Sequence, residues 1–439
     1  LLEVNGRYDG TSRFMKDQRW NFFPSFSLGW NVARENFWKP LESVVNQFKL
    51  RGSWGELGNQ NTSNLYPFYE ILPVKSNSGN WLVNGGKTNT ADIPSLVSTL
   101  LTWERVRSFN VGFDFGAFSN RLTGSFDYFV RKTVDMVGPA PQLPLVLGIA
   151  PAIVNNADMK SYGFEIELSW RDRIGEVDYG VKFNLADAQQ KVVKYPNTTN
   201  AFNDWYAGKM SGEIWGYTSL GIAKTDEEMK EHLASLPNGG QNQLGNKWGA
   251  GDIMYADING DGKVDGGKGT LADPGDQRII GNSTPRYNFG LVLDASYKGF
   301  DVSIFFQGVG KRDYAPIVGT NGAVFWGAVN NIWQSMAMEE HFDYFRPEGH
   351  PMGANLNGYY PRPDFTSNKN HQVQTRYLQD ASYIRLKNLQ IGYTLPKQWI
   401  NKLHINRCRV YVSGDNLWTG TSLASMFDPE TLAAGDWGS

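Results

Sequence analysis

One stretch of this 439-residue chain has the makings of a cation site. Asp257-Ile-Asn259-Gly-Asp261-Gly262-Lys263-Val-Asp265 sets side-chain oxygens at positions 1, 3, 5 and 9 of a loop with glycine at 6, the front of a calcium-binding loop of EF-hand type. Lys263, at position 7, would offer its carbonyl oxygen. Position 12, where an acid normally closes the loop, is Lys268, so closure falls to Asp273 or Asp276 after a short insertion. The all-oxygen donor set and its spacing point to Ca²⁺. The same Asn/Asp/Gly content also builds a metal-free turn.

Other chemistry is scarce. The chain has no Gly-x-Ser-x-Gly, His-Glu-x-x-His or P-loop pattern, so no enzyme is expected. Glu165 and Glu167 share one strand face and do not oppose each other, as the acid pair of a glycosidase must. The aromatics Trp205, Tyr206, Trp215, Tyr217, Trp326 and Trp333 lie between the predicted strands. They could stack on a sugar or peptide or anchor a partner, although loop packing uses the same residues. A single cysteine, Cys408, excludes an intrachain disulfide, and the five histidines form no close pair for a metal. Lys+Arg 42 against Asp+Glu 44 leaves a formal net charge of -2, which carries no footprint for nucleic acid.

These residues must be held by strands, because the dominant pattern is alternation with period two. Tyr287, Phe289, Leu291, Leu293, Ala295 and Tyr297 fall on one face, and Arg286, Asn288, Asp294 and Ser296 on the other. Phe300–Phe306, Tyr162–Trp170 and Val177–Leu185 repeat the pattern. Leu2–Tyr8, Phe22–Val32, Phe48–Trp54, Phe109–Phe115, Leu122–Val130 and Cys408–Val412 follow it less strictly. In Tyr383–Leu395 the phase slips near Asn388, which predicts a β-bulge. About 11 strands of about 9–13 residues result, long enough to cross a bilayer when tilted. The mean hydropathy of -0.43 and the interrupted apolar run 143–154 exclude a membrane-spanning helix but not a membrane barrel, whose strands are half polar.

The connections sharpen the choice. Joins predicted near 117–120, 171–174 and 297–299 are short, whereas those after Leu57, Arg131, Asp187 and Val309 are long, and the two kinds alternate apart from mid-length turns near 33–45 and 396–404. Outer-membrane barrels have short inner turns and long external loops. The predicted class is all-β, a transmembrane antiparallel up-and-down β-barrel with long external loops. Short helices are predicted in these loops at Asp226–Leu236 and Val324–Met338. The rivals are a soluble calcium-stabilised glycan-binding β protein, which would not partition into detergent, and a passive porin.

Several segments together resemble the SusC/RagA-type TonB-dependent transporters of the Bacteroidetes outer membrane. They are Tyr8–Phe14, Phe23–Trp30, Leu50–Gly55 with Gly58–Asn61, Asp257–Asp265 with Arg278–Asn282 and Pro285, Phe305–Gly308, and Tyr383–Pro396. The resemblance runs in order through the whole chain. It implies part of a 22-stranded barrel, with an N-terminal plug, the TonB box and the last strand lying outside this sequence. It also implies active import driven by the TonB–ExbB–ExbD complex, a SusD-like surface lipoprotein as lid, and contact with membrane lipid and lipopolysaccharide. A glycan is the implied cargo and an oligopeptide the alternative.

Overall fold

The computed structural model describes residues 1–60, 62, 65–94, 96–139, 144, 146, 148, 149, 152–316, 319–329, 338–365, 367–400 and 405–432. Eleven long strands form one sheet in chain order. They are β1 Leu2–Gly10, β2 Trp20–Asn31, β3 Val45–Asn59, β4 Glu104–Ala117, β5 Leu122–Gly138, β6 Val154–Ile174, β7 Val177–Lys194, β8 Arg286–Tyr297, β9 Phe300–Lys311, β10 Tyr383–Thr394 and β11 Arg409–Thr421. Neighbours in sequence being neighbours in the sheet is the up-and-down order that short hairpins enforce.

Contacts divide the chain into two compact units. The first comprises Leu1–Trp170, Asp187–Thr198 and Trp205–Met210, the second Arg171–Ala186, Thr199–Asp204 and Ser211–Ser439. In the first, the register lines up rows of apolar side chains. Phe26, Trp54, Phe109, Val130 and Tyr162 form one row, and Trp30, Leu50, Phe113, Phe126 and Ile166 another. Arg51, Asp114 and Asp127 point to the opposite face. In the second unit Phe183, Leu291, Phe306 and Leu386 form such a row, with Lys182, Asp294, Asp301 and Arg385 on the other face.

The apolar face is not a core. Leu28 is 58% exposed, Val111 44% and Ile391 53%. A water-soluble sandwich would bury this face, so a face left exposed or half-buried from strand to strand calls for an apolar solvent. Buried apolar clusters involve the connections instead, with Phe23 of β2 the one residue of the eleven long strands among those named next. Phe14, Phe23, Leu101 and Trp103 pack together in the first unit. In the second, Tyr217, Ile253, Tyr255, Phe325, Trp326, Tyr360 and Tyr377 form a core within the long connections 195–285 and 312–382.

The predicted bulge is present: pairing shifts between Leu386 and Asn388, returning Leu389 and Ile391 to the apolar face. Three expectations need correction. The 171–174 segment belongs to β6, and the turn is Gly175-Glu176, because Arg171 and Asp172 continue the pairing pattern with polar side chains. Strands β6 and β7 run well past the apolar stretch, since hydrogen bonding continues where hydrophobic alternation stops. The last strand begins at Arg409 and ends at Thr421.

The helix α1 spans Asp226–Ala234, and the Thr225 hydroxyl caps it by accepting from the Glu228 N–H at 3.1 Å. The second helix, α2, runs Gly319–Trp326 and tightens into a 3₁₀ turn at Gly327–Val329. Residues 330–337 of the predicted helix lie outside the described residues.

Candidate functional site

The charged face is organised by ion pairs. On the first unit Arg51 donates to Asp127 at 2.6 and 2.5 Å and to Asp114 at 3.0 and 3.2 Å, tying three strands together. Glu165 lies opposite Asp127 across β5–β6, so these carboxylates belong to a hydrated wall and not to a facing catalytic pair. On the second unit Arg409 holds Asp301 and Gln390, and a cavity of about 600 Å³ opens beside Arg171, Asp178, Asp294, Asp301 and Ser303. A wall of paired charges of both signs suits passage of a polar solute.

The 257–265 loop folds as a nest of local bonds. Asp257 accepts from the N–H of Gly260 and Gly262 at 2.6 and 2.8 Å, Asn259 from Asp261, and Asp261 from Lys263. Gly260 and Gly262 take φ of 76° and 80°, a conformation only glycine adopts cheaply. Asp276 closes the loop from behind by accepting from Ile258, Asn259 and Asp265, whereas Asp273 braces a separate turn through its carbonyl to Lys268. Burial pushes the Asp276 carboxyl up against the pull of those three N–H groups. The Lys263 ammonium, 2.5 Å from Asp265, holds that carboxyl below its usual range.

Asp257, Asn259, Asp261, Lys263, Asp265 and Asp276 therefore share one turn. Among the described residues no three acidic, histidine or cysteine side chains converge on one point. A cation here would have to draw on the Asn259 amide and main-chain carbonyls as well, a mixed oxygen set of the kind Ca²⁺ accepts.

The expected aromatic anchors are scattered. Trp205, 39% exposed, and Tyr206 flank the Lys209 ammonium, which sits 5.6 and 5.4 Å from their rings. Trp215 stacks on Phe202 at 4.6 Å. Trp326 is 1% exposed and packs on Tyr360, His371 and Tyr377, so it holds the loop core together and offers no surface to a partner. Trp333 lies outside the described residues.

Sequence reading missed one feature. Buried Asp252 accepts from Arg362 at 2.9 and 2.6 Å, Lys369 at 2.9 Å, Asn370 at 3.0 Å and the Gly249 N–H at 2.9 Å. It pins the 195–285 connection to the 312–382 connection beside a cavity of about 370 Å³ lined by Lys247, Arg362, Asp364, Ser367 and Lys369. Arg362, Lys369 and Asn370 lie over a hundred residues from Asp252, and no local motif announces the cluster.

Comparison with known proteins agrees with this geometry. The family described as TonB dependent receptor-like, beta-barrel matches residues 1–417. TonB-dependent receptor P3 of Formosa agariphila is 30% identical over 98% of this chain and 40% of its own length. TonB-dependent receptor SusC of Bacteroides thetaiotaomicron is 24% identical over 99% of this chain and 40% of its own. The chain thus spans about 40% of the length of the curated relatives it matches. The solved RagAB peptide transporter superposes with a TM-score of 0.73 at 22% identity, covering 99% of this chain and 43% of that one, a likeness of fold. The two-faced sheet, its long connections and the match across nearly its whole length place this chain in the TonB-dependent receptor-like β-barrel family.

Proposed function

We propose that the protein forms barrel wall and external loops of a TonB-dependent importer that carries a polar nutrient, an oligosaccharide first, inward across the outer membrane beneath a SusD-like lipoprotein. The carrying observation is the sheet with one exposed apolar face and one ion-paired face, whose long connections 60–103, 139–153, 195–285 and 312–382 all leave the same ends of the strands. A barrel of about 22 strands is wide enough to need a plug, so passage must be gated. The outer membrane has no energy source of its own, so the gate is driven from the inner membrane through TonB. Exposed Trp205 and half-buried Tyr206 beside Lys209 support a sugar cargo, because flat aromatic faces suit sugar rings. The shared core of the 195–285 and 312–382 connections supplies a folded platform for the lid, in place of the single anchor Trp326.

Calcium belongs to the same proposal: the Asp257–Asp265 loop, backed by Asp276, would take Ca²⁺ and stiffen the platform.

The test replaces 312–382 by a short linker in the chromosomal gene. The barrel should still assemble, the lipoprotein should no longer co-purify, and growth on the cognate glycan should stop, as it should on loss of TonB. Unchanged co-purification and growth would refute the proposal. Growth lost on peptides instead would transfer the cargo to oligopeptides.

A further inference from the structure

The apolar face of the first unit ends in charge. Register places Glu56, Arg107, Lys132 and Lys160 in a single row across β3–β6, on the same face as the row Trp54, Phe109, Val130 and Tyr162. On β6 the apolar face runs from Tyr162 to Trp170, an aromatic at each edge, as membrane barrels are girdled. The charged row lies two residues beyond the Tyr162 edge, about 7 Å along the strand, on the side of the 60–103 and 139–153 connections.

Arg107 is paired with Glu56 at 2.6 Å. Lys132 and Lys160 stand directly opposite each other, and neither makes an ion pair among the described residues. Lys132 is exposed, and the Lys160 ammonium rests 5.0 Å from the Tyr162 ring. Like charges opposite one another across a strand pair repel. An anion between them turns that repulsion into attraction, and at this height the anions of a membrane are headgroup phosphates. Lysine suits the task, with a stem that lies on apolar surface and a head that reaches the polar layer.

We propose that Lys132 and Lys160, flanked by Arg107, bind the phosphates of phosphorylated glycolipid in the external leaflet. The inference rests on the lipid-facing reading of the apolar face. The test uses the full-length transporter in detergent, titrated with bisphosphorylated lipid A or the same lipid stripped of phosphate, with retained lipid counted by native mass spectrometry. Wild type should retain the phosphorylated form preferentially. Each lysine should contribute about fivefold, so Lys132→Gln/Lys160→Gln should bind about 25-fold more weakly. Lys182→Gln, on the charged face, should bind as wild type does. Equal retention by the double variant, equal retention of the stripped lipid, or displacement by millimolar inorganic phosphate would each overturn the site. Spin labels at 109 and 130, one row nearer the bilayer centre, separate the two readings. If they contact lipid while the lysines prove inert, only the phosphate site fails. If they contact water, the lipid-facing reading fails with it.

Discussion

Leu291→Arg is the most informative single change. Leu291 sits on the apolar face of β8 between Phe183 of β7 and Phe306 of β9, and that face runs from Tyr287 to Tyr297. About ten steps of ~3.3 Å give ~33 Å along the strand, and a tilt of ~40° projects this to ~25 Å, the height of a barrel's apolar band. Leu291, about four steps from Tyr287, then lies ~10 Å below the upper edge, close to the bilayer midplane. Arginine there should destabilise the folded barrel by about 2–4 kcal/mol. Val292→Arg, one residue on, faces Lys182 and Phe305 on the charged side and should cost under about 1 kcal/mol, because water screens it. Guanidinium titration of the full-length protein in lipid vesicles, read by heat-modifiable gel mobility, measures both. If Leu291→Arg is neutral while Val292→Arg loses the larger amount, the assignment of faces is reversed.

Further outcomes follow from the loops and from one strand crossing. Burial depresses His371 to about 4, so below pH ~6.5 the unfolded chain takes up a proton that the folded site refuses. The stability it confers is complete above pH 6.5 and falls by roughly 2–3 kcal/mol as pH drops towards 4. Trp326 fluorescence against pH should report this, and His371→Phe should flatten the profile; an unchanged profile would contradict it. Chelation should raise protease cleavage within 195–285, and Asp261→Ala should mimic it; identical digestion with and without Ca²⁺ would remove the calcium proposal. Asp252→Ala leaves buried Lys369 with the longer 3.6 Å carboxylate contact to Asp364 and takes the shared carboxylate from Arg362 and Asn370, so it should cost about 3 kcal/mol of loop stability, seen as early proteolysis with the barrel intact. A Cβ on Gly163 would lie 2.0 Å from the Asp187 carbonyl, backbone that cannot swing aside, so Gly163→Ala should cost about 1–3 kcal/mol or more in folding yield.

How much could be read from residues alone follows from what each feature depends on. Strands β8 and β9 were legible because each spans a two-sided environment, and side-chain period records it. The bulge near Asn388 was legible because a phase slip leaves a mark in sequence. The extensions of β6 and β7 were not, because both faces there are polar and only backbone pairing continues. Helix α1 could be placed from Thr225 and Pro237, whereas the start expected at Val324 falls five residues inside α2, because Gly319–Gly322 carries no apolar period to announce a helix. The 257–265 loop was visible as a local motif, but its backing by Asp276 was only one of two options. The role of Trp326 and the Asp252–Lys369–Arg362 cluster depends on long-range packing that leaves no local pattern.

The central claim is that one face of this sheet meets lipid and the other a hydrated lumen. Spin labels at 289, 291, 288 and 294 in the full-length protein, reconstituted in vesicles, test it most directly. Labels at 289 and 291 should be relaxed by dissolved oxygen and shielded from a nickel chelate, and those at 288 and 294 should show the reverse. Chelate access at all four sites, or the opposite assignment, would contradict the account.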